Sequence, residues 1–297
     1  MDIQLQDERV QNLCSWVSTL YPESNISLIP ISSDASFRRY FRFKRQNQQL
    51  VAVDTPPDTE NNAMFVAVSE ALSDIGILAP KVLHWHEENG YMVVSDLGDI
   101  QLAHKLTLDS APSWYQKAAS LLPKIQRIET TSLGPLPLYD SQLITQELSI
   151  FTQWLVRQLL NIDVDAAFKQ QWTRFEKSLI SVFQEQPQVA VHRDFHSRNI
   201  MIQNEALAVI DFQTLVKGPV TYDLVSLLKD CYQKWPTPLV YELMQQWHQA
   251  NYRDIPSTDF ERWFDLTGLQ RHLKAAGIFA RLKLRDKKGN YIKDIPR

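Results

Sequence analysis

A short strand-like island set inside a long helical stretch constrains this chain more than any other feature. Residues 189–212 open with Val189-Ala190-Val191, pass through His192-Arg193-Asp194-Phe195-His196-Ser197-Arg198-Asn199, and resume with Ile200-Met201-Ile202. A further run, Leu207-Ala208-Val209-Ile210, leads into Asp211-Phe212-Gln213. Short apolar runs rich in β-branched residues and bounded by polar clusters read as buried strands. Each polar cluster stands at the end of such a run, with Asp194 five residues before Asn199 and Asp211 twelve beyond it. A strand, loop, strand, turn, strand path is expected to bring the three side chains to one edge of a small sheet.

The flanking sequence changes texture on either side. Leu5, Val10, Leu13, Cys14, Val17 and Leu20 recur at helical spacing. Strands are predicted over 26–31, 37–44 and 50–53, then a helix over 60–75 after the Pro56-Pro57 break. Two more strands, 81–85 and 91–95, meet across the Asn89-Gly90 turn signal. Beyond residue 96 the pattern is helical, over 111–129, 141–160 and 163–184, and after the island over 222–232, 238–251 and 259–284. The expectation is an α+β chain in two lobes: a small β-rich lobe over 1–95 and a larger, mainly helical lobe over 96–297. A cleft between such lobes is a natural place for a small molecule.

The island carries the groups that phosphoryl transfer needs. A carboxylate must orient and deprotonate the attacking hydroxyl, and hard oxygen ligands must hold the Mg²⁺ that bridges nucleotide phosphates. Asp194 suits the first task, and Asn199 and Asp211 the second. His-x-Asp-x-x-x-x-Asn, an apolar strand and Asp-Phe together match a kinase catalytic loop with its metal-binding Asp. Alone, each residue reads as a turn or cap; strand context on both sides joins them.

The run His192-Arg193-Asp194-Phe195-His196-x-x-Asn199 resembles the aminoglycoside phosphotransferase family, a branch of the protein-kinase-like fold. His196 stands where protein kinases usually carry lysine. The resemblance implies a two-lobed fold, ATP and Mg²⁺ as cofactors, and direct γ-phosphoryl transfer to an acceptor hydroxyl. It also implies that main-chain groups of Ser95, Asp96 and Leu97 bind the adenine. Asp34-Ala35-Ser36-Phe37-Arg38-Arg39-Tyr40-Phe41-Arg42, Val53-Asp54-Thr55-Pro56-Pro57, Tyr222-Asp223-Leu224-Val225-Ser226-Leu227-Leu228-Lys229-Asp230 and Gly268-Leu269-Gln270-Arg271-His272-Leu273-Lys274 are similar to a bacterial subgroup of that family. Its members are anomeric kinases for N-acetylmuramate and N-acetylglucosamine in cell-wall sugar recycling, which implies an amino-sugar acceptor phosphorylated at C1. The alternatives are another small-molecule kinase, for aminoglycosides, choline or amino-acid alcohols, and a catalytically idle nucleotide-binding scaffold.

Two departures encourage the idle reading. Protein kinases carry a lysine on the third strand to hold the phosphates, whereas this chain reads Val51-Ala52-Val53-Asp54. The segment over 32–36 contains no glycine, so it offers no glycine-rich phosphate cradle. Strand alternation sends Arg38, Tyr40, Arg42 and Lys44 to one face, and Arg39 with Phe37, Phe41 and Phe43 to the other. Arg38 or Arg39 is the expected stand-in for the missing cation.

Other residues carry a functional and a plain reading. His196 contacts substrate or orders the loop, and Arg198 balances the phosphoryl group or an acidic acceptor, or faces solvent. His192 is read as a buried scaffold residue. Asp223 is read as the N-cap of an apolar helix that braces the loop. Gln213 replaces the usual glycine after Asp-Phe and is a candidate sugar contact. Asp230 and Arg271 supply a hydroxyl acceptor and a cation for an amino sugar bearing a carboxylate, and equally suit exposed helical salt bridges. His84 and His86 share a strand face without a third ligand nearby, and read as half-exposed strand histidines rather than zinc ligands.

Bulk properties close off other classes. The net charge of −3 is far from the basic excess of a nucleic-acid binder. No apolar run approaches the ~20 residues of a membrane span, and the Met1-Asp2-Ile3-Gln4 start lacks signal-peptide character. Two distant cysteines, Cys14 and Cys231, read as reduced thiols. A cytoplasmic enzyme acting on ATP and a small molecule is expected.

Overall fold

The computed structural model of the chain describes residues 7–31 and 38–295. The glycine-free stretch over 32–36 lies outside them. In order, the elements begin α1 (Glu8–Leu20), β1 (Ile29–Ile31), β2 (Arg39–Arg45), β3 (Gln48–Asp54), α2 (Asn62–Asp74), β4 (Val82–His86) and β5 (Tyr91–Ser95). Next come α3 (Ala111–Ala119), α4 (Leu122–Ile125), β6 (Thr130–Thr131), β7 (Gly134–Pro135), α5 (Ser141–Ile150), a π-helical segment (Phe151–Leu159) and α6 (Ala166–Glu185). The chain continues with β8 (Gln188–Val191), β9 (Ile200–Gln203), β10 (Ala206–Val209), β11 (Val216–Pro219), α7 (Tyr222–Leu228), α8 (Thr237–Asn251) and α9 (Ser257–Leu284).

These elements form two units. The first takes the described residues up to Ile100 together with Thr130–Gly134 and Met201–Gln213. An antiparallel sheet in the order β1-β2-β3-β5-β4 forms its base. Period-2 alternation puts Phe41, Phe43, Leu50, Ala52 and Val93 on one face, where α1 lays Val10, Leu13 and Val17 against them. Asp7 starts α1 by accepting the Arg9 N–H at 2.8 Å. His84 and His86 are ring partners of Tyr21 and Trp16. Among the described residues no cluster of three or more His, Cys, Asp or Glu side chains is placed to hold a metal ion.

The boundary expected after residue 95 is corrected. Leu97 packs with Met201, Ala208 and Ile210, the Ile202 N–H donates to Ile100 O at 2.8 Å, and the Val209 N–H donates to Leu78 O at 2.8 Å. Apolar packing and main-chain bonds therefore draw the β9–β10 hairpin into the first unit. The island also does not form one sheet. β9 pairs with β10 across a tight turn in which Asn204 and Glu205 both have positive φ, at 48° and 64°. β8 pairs instead with β11, from Val191 opposite Val216 to Gln188 opposite Pro219.

The second unit is built around α5, α6 and α9. Ile144, Leu148, Leu179, Phe183, Val191, Val216 and Tyr222 share one core, with Leu266 and Leu273 packed against it. The helix expected over 111–129 breaks after Ala119, because Pro123 in the first turn of α4 has no N–H to continue the α3 ladder. The helix expected over 141–160 changes pitch at Phe151, where α5 gives way to the π-helical segment. Among the described residues no helix is long and apolar enough to cross a membrane.

Candidate active site

In the second unit, β8 delivers the chain to His192, and three elements then fix the loop that follows. Asp223, in the first turn of α7, accepts the His192 N–H at 2.7 Å and the Arg193 N–H at 3.0 Å. It is not the N-cap, a place held by Thr221; its carboxylate is spent on the loop's main chain instead. Ser226 Oγ donates to Arg193 O at 3.2 Å, and Thr214 Oγ1 donates to His192 O at 3.3 Å. His192 is fully buried, and its Nδ1 accepts the Asp194 N–H at 3.3 Å.

Further along, Asp230 accepts from Ser197 N at 3.2 Å and Ser197 Oγ at 2.5 Å, while its other oxygen accepts the Tyr232 N–H at 2.8 Å. With both oxygens engaged and 4% exposure, Asp230 braces the loop rather than facing an acceptor, which corrects the expectation for that residue. Asn199 Nδ2 donates to Asp194 O at 3.0 Å and lies 3.4 Å from His196 Nε2. Both contacts use the nitrogen end, which sets the amide oxygen, a hard ligand, on the opposite side. His196 meets the Tyr232 ring edge-on at 5.4 Å, and the Arg198 guanidinium lies 3.6 Å from the same ring's centroid. Arg198 is thus held by a cation–π contact.

Helix α9 surrounds Asp194 with positive charge. Burial works to raise the Asp194 carboxyl, but Lys274, Arg271, His196 and Arg193 outweigh it and hold the group at about 2. Asp194 is therefore a carboxylate at neutral pH, able to accept a hydrogen bond from a hydroxyl. Arg271 stands over the Tyr222 ring at 5.2 Å. Lys274 Nζ lies 2.8 Å from Glu147 Oε1 on α5. Neither Lys274 nor Glu147 was among the candidate site residues, although the sequence holds one signal of the latter. Glu147 shares the apolar stripe of its helix with Ile144, Leu148 and Phe151, at i, i+3, i+4 and i+7 spacing.

In the first unit, Asp211 adopts a left-handed backbone at φ 63° and accepts Gln213 Nε2 at 2.8 Å. Phe212 is fully buried with its ring 4.8 Å from Phe65 of α2. The two arginines considered for the missing lysine now part company. Arg39 is taken by Asp54 and Asp7, and Asp54 also accepts Arg9 at 2.6 Å. This buried pairing corrects the expectation that Arg39 serves a phosphate. It also explains Asp54 without invoking an idle scaffold, because the carboxylate ties α1 and β2 to the end of β3.

Arg38 differs. It is 2% exposed, pairs with Glu60 at 3.2 Å, donates to Thr55 Oγ1 at 3.2 Å and stands 5.1 Å over the Phe65 ring. Burial raises the Tyr40 phenol to about 12, and Arg38, Asp211 and Glu60 are the charges that act on it. Arg38 and Asp211 therefore neighbour the same side chain. In the segment that follows β5, Asp96 binds Arg42 at 2.5 Å and its carbonyl accepts Gln203 Nε2 at 3.2 Å. Ser95 Oγ accepts the Lys81 N–H at 2.9 Å, and Leu97 is buried. These contacts hold the segment's main chain in place.

The amide oxygen of Asn199, in the second unit, and the carboxylate of Asp211, in the first, are each hard oxygen donors of the kind Mg²⁺ takes beside water and phosphate.

Comparison with known proteins agrees with this chemistry. The phosphotransferase enzyme family model matches residues 27–266. The chain is 37% identical over 306 residues to an N-acetylmuramate/N-acetylglucosamine kinase of Pseudomonas aeruginosa, covering 98% of this chain and 90% of that protein. A kinase of the same name from Neisseria meningitidis serogroup B is 34% identical, with 98% and 89% covered. Among solved structures, an ethanolamine kinase of Plasmodium vivax superposes with a TM-score of 0.72 at 13% identity, over 97% of this chain and 85% of that one. An ADP-bound aminoglycoside phosphotransferase superposes with a TM-score of 0.62 at 15% identity, over 95% of each chain. At these identities the structures speak to the kinase-like two-lobed α+β fold alone.

Proposed function

Because the chain belongs to the phosphotransferase enzyme family, we propose that it transfers the γ-phosphoryl group of ATP to the C1 hydroxyl of N-acetylmuramate or N-acetylglucosamine. The products are ADP and a sugar 1-phosphate that returns to cell-wall precursor synthesis. The observation that carries this reading is similarity, over 98% of the chain, to kinases named for that pair of sugars.

Asp194 accepts the hydrogen bond of the acceptor hydroxyl and aims it in line with the γ-phosphorus. The new oxygen–phosphorus bond forms as the bond to the departing ADP oxygen breaks, and the hydroxyl proton passes to Asp194. A carboxylate held at about 2 is a weak base, which suits a loose transition state where the proton moves late and positioning dominates. Asn199 and Asp211 would each offer an oxygen to Mg²⁺, which when bound would supply neutralisation of charge on the transferring phosphates. Arg38 supplies the cation that the third strand lacks. Arg198 and His196, ordered on Tyr232, line the loop, and Arg271 offers a cation to an anionic acceptor. Main-chain groups of Ser95, Asp96 and Leu97 receive the adenine. A requirement for ATP supports a cytoplasmic location.

The test is incubation with Mg²⁺, ATP and each sugar, with ADP release followed and the product phosphate located by ³¹P NMR. The expected signal is an anomeric phosphate. Asp194→Asn is expected to lower kcat by roughly 10²–10⁴-fold. A chain that phosphorylates aminoglycosides or choline but neither sugar would refute the acceptor. Parent-like turnover in Asp194→Asn would remove that residue from its role.

A further inference from the structure

Arg193 precedes Asp194 with a backbone φ of 76°. A non-glycine residue there carries strain of order 1–3 kcal/mol and keeps it only when its surroundings over-determine it. Both ends of the Arg193 main chain are tied, the N–H to Asp223 and the carbonyl to Ser226. The far end of the side chain is tied as well, because its guanidinium donates to Glu147.

Glu147 is 4% exposed and gathers groups from three places in the second unit. One oxygen takes Arg193 and Lys274 Nζ, the latter at 2.8 Å. The other takes the Tyr139 hydroxyl and Gln270 Nε2, the latter at 3.0 Å. Gln270 Nε2 also reaches Tyr139 Oη at 3.1 Å, and the Arg193 guanidinium lies 5.8 Å over the Tyr139 ring. Among the described residues, Glu147 is the one ion-pair partner of Arg193. Removing its charge would leave two cations, Arg193 and Lys274, without their carboxylate beside the loop. Arg193 would then lose the side-chain anchor that, with the two main-chain ties, opposes relaxation of its backbone, and a turn at Arg193 swings the residue that follows.

We propose that Glu147 is a positioning residue for phosphoryl transfer, holding Arg193 in its left-handed turn so that Asp194 keeps its aim at the acceptor hydroxyl. This rests on the role given to Asp194 above. Glu147 touches no reacting atom; it acts through Arg193.

Glu147→Gln keeps the side chain's shape and an oxygen for Tyr139 while removing the charge. In protein shown to be folded by circular dichroism, kcat is expected to fall about a hundredfold, the cost of a misplacement near 1 Å. A loss confined to positioning leaves KM for ATP within about threefold of the parent. Should Glu147→Gln fail to fold, Arg193→Met carries the test, since it leaves Glu147 paired with Lys274 and is expected to show the same split. A kcat within about threefold of the parent in either folded variant, where Asp194→Asn shows its loss of roughly 10²–10⁴-fold, would overturn the proposal while sparing the role of Asp194. Parent-like turnover in Asp194→Asn would remove the premise instead.

Discussion

Two glycines of α9 should respond to alanine in opposite directions. A Cβ at Gly277 would lie 2.6 Å from the carbonyl carbon of Ile150, 2.6 Å from Phe151 N and 2.7 Å from Ile150 O. All three are main-chain atoms, at the point where α5 becomes the π-helical segment. Ordinary contact begins near 3.4 Å, so the two backbones must part by about 0.8 Å, a shift that costs about 1–3 kcal/mol in a packed interior. Replacing a mid-helix glycine returns about 1 kcal/mol of helix propensity. The clash outweighs propensity over most of that range, and Gly277→Ala is expected to destabilise by up to about 2 kcal/mol. At Gly268 the new Cβ meets Lys229 Cδ at 3.0 Å and Nζ at 3.3 Å, the flexible end of a lysine that can re-seat on Asp265. Propensity then wins, and Gly268→Ala is expected to be neutral or to stabilise by up to about 1 kcal/mol. Urea denaturation of parent and both variants, followed by circular dichroism, reads the two signs. Lys274 lies three residues before Gly277, so displacement of α9 should also draw Lys274 from Glu147 and lower kcat in the Gly277 variant alone. Equal stability of Gly277→Ala and the parent would refute the reasoning.

Three further expectations follow from buried charge. Burial works to raise the Glu147 carboxyl, yet Lys274 and Arg193, with the Lys274 and Tyr139 hydrogen bonds, hold it at about 2 against an ordinary 4.5. A depressed folded-state pKa stabilises above pH 4.5, and that contribution, about 3 kcal/mol at most, is lost as pH falls toward 2. Denaturation between pH 5 and pH 2 should therefore show a steeper loss in the parent than in Glu147→Gln; parallel curves would remove Glu147 from the acid response. Asp54→Ala removes the carboxylate shared by Arg39 and Arg9, leaving Arg39 with Asp7 and Arg9 with Asn89 O, and should cost about 1–3 kcal/mol in thermal or chemical unfolding, where a loss below about 0.5 kcal/mol would show the pairing idle. Arg38→Ala should lower kcat/KM for ATP roughly a hundredfold, checked by steady-state titration beside an unfolding curve, and an unchanged value in folded protein would leave the missing lysine without this substitute.

The parts of the molecule legible in the sequence are those whose information is local. Asp194 and Asn199 sit five residues apart, and the structure holds them in one loop with Asn199 Nδ2 donating to Asp194 O. The α1 stripe and the alternation of β2 are likewise local periodicities, and the sheet core formed on the faces that alternation assigned. What escaped reading depends on partners far along the chain. Asp54 looked like a lost lysine because its partners, Arg9 and Arg39, lie 45 and 15 residues away. Arg38 and Arg39 were indistinguishable as neighbours until opposite faces of the strand gave one to Glu60 and the other to Asp54. β8 looked like the partner of β9, yet β11, beyond two intervening strands, took its edge. Glu147 marks the border between the two kinds of information. Its carboxylate on an apolar helical stripe is a local anomaly, and a charge in that place must find a countercharge or be expelled. The anomaly announces a buried partner without naming it. Arg193 and Lys274, brought from the loop and from α9, supply the answer only once the second unit has packed.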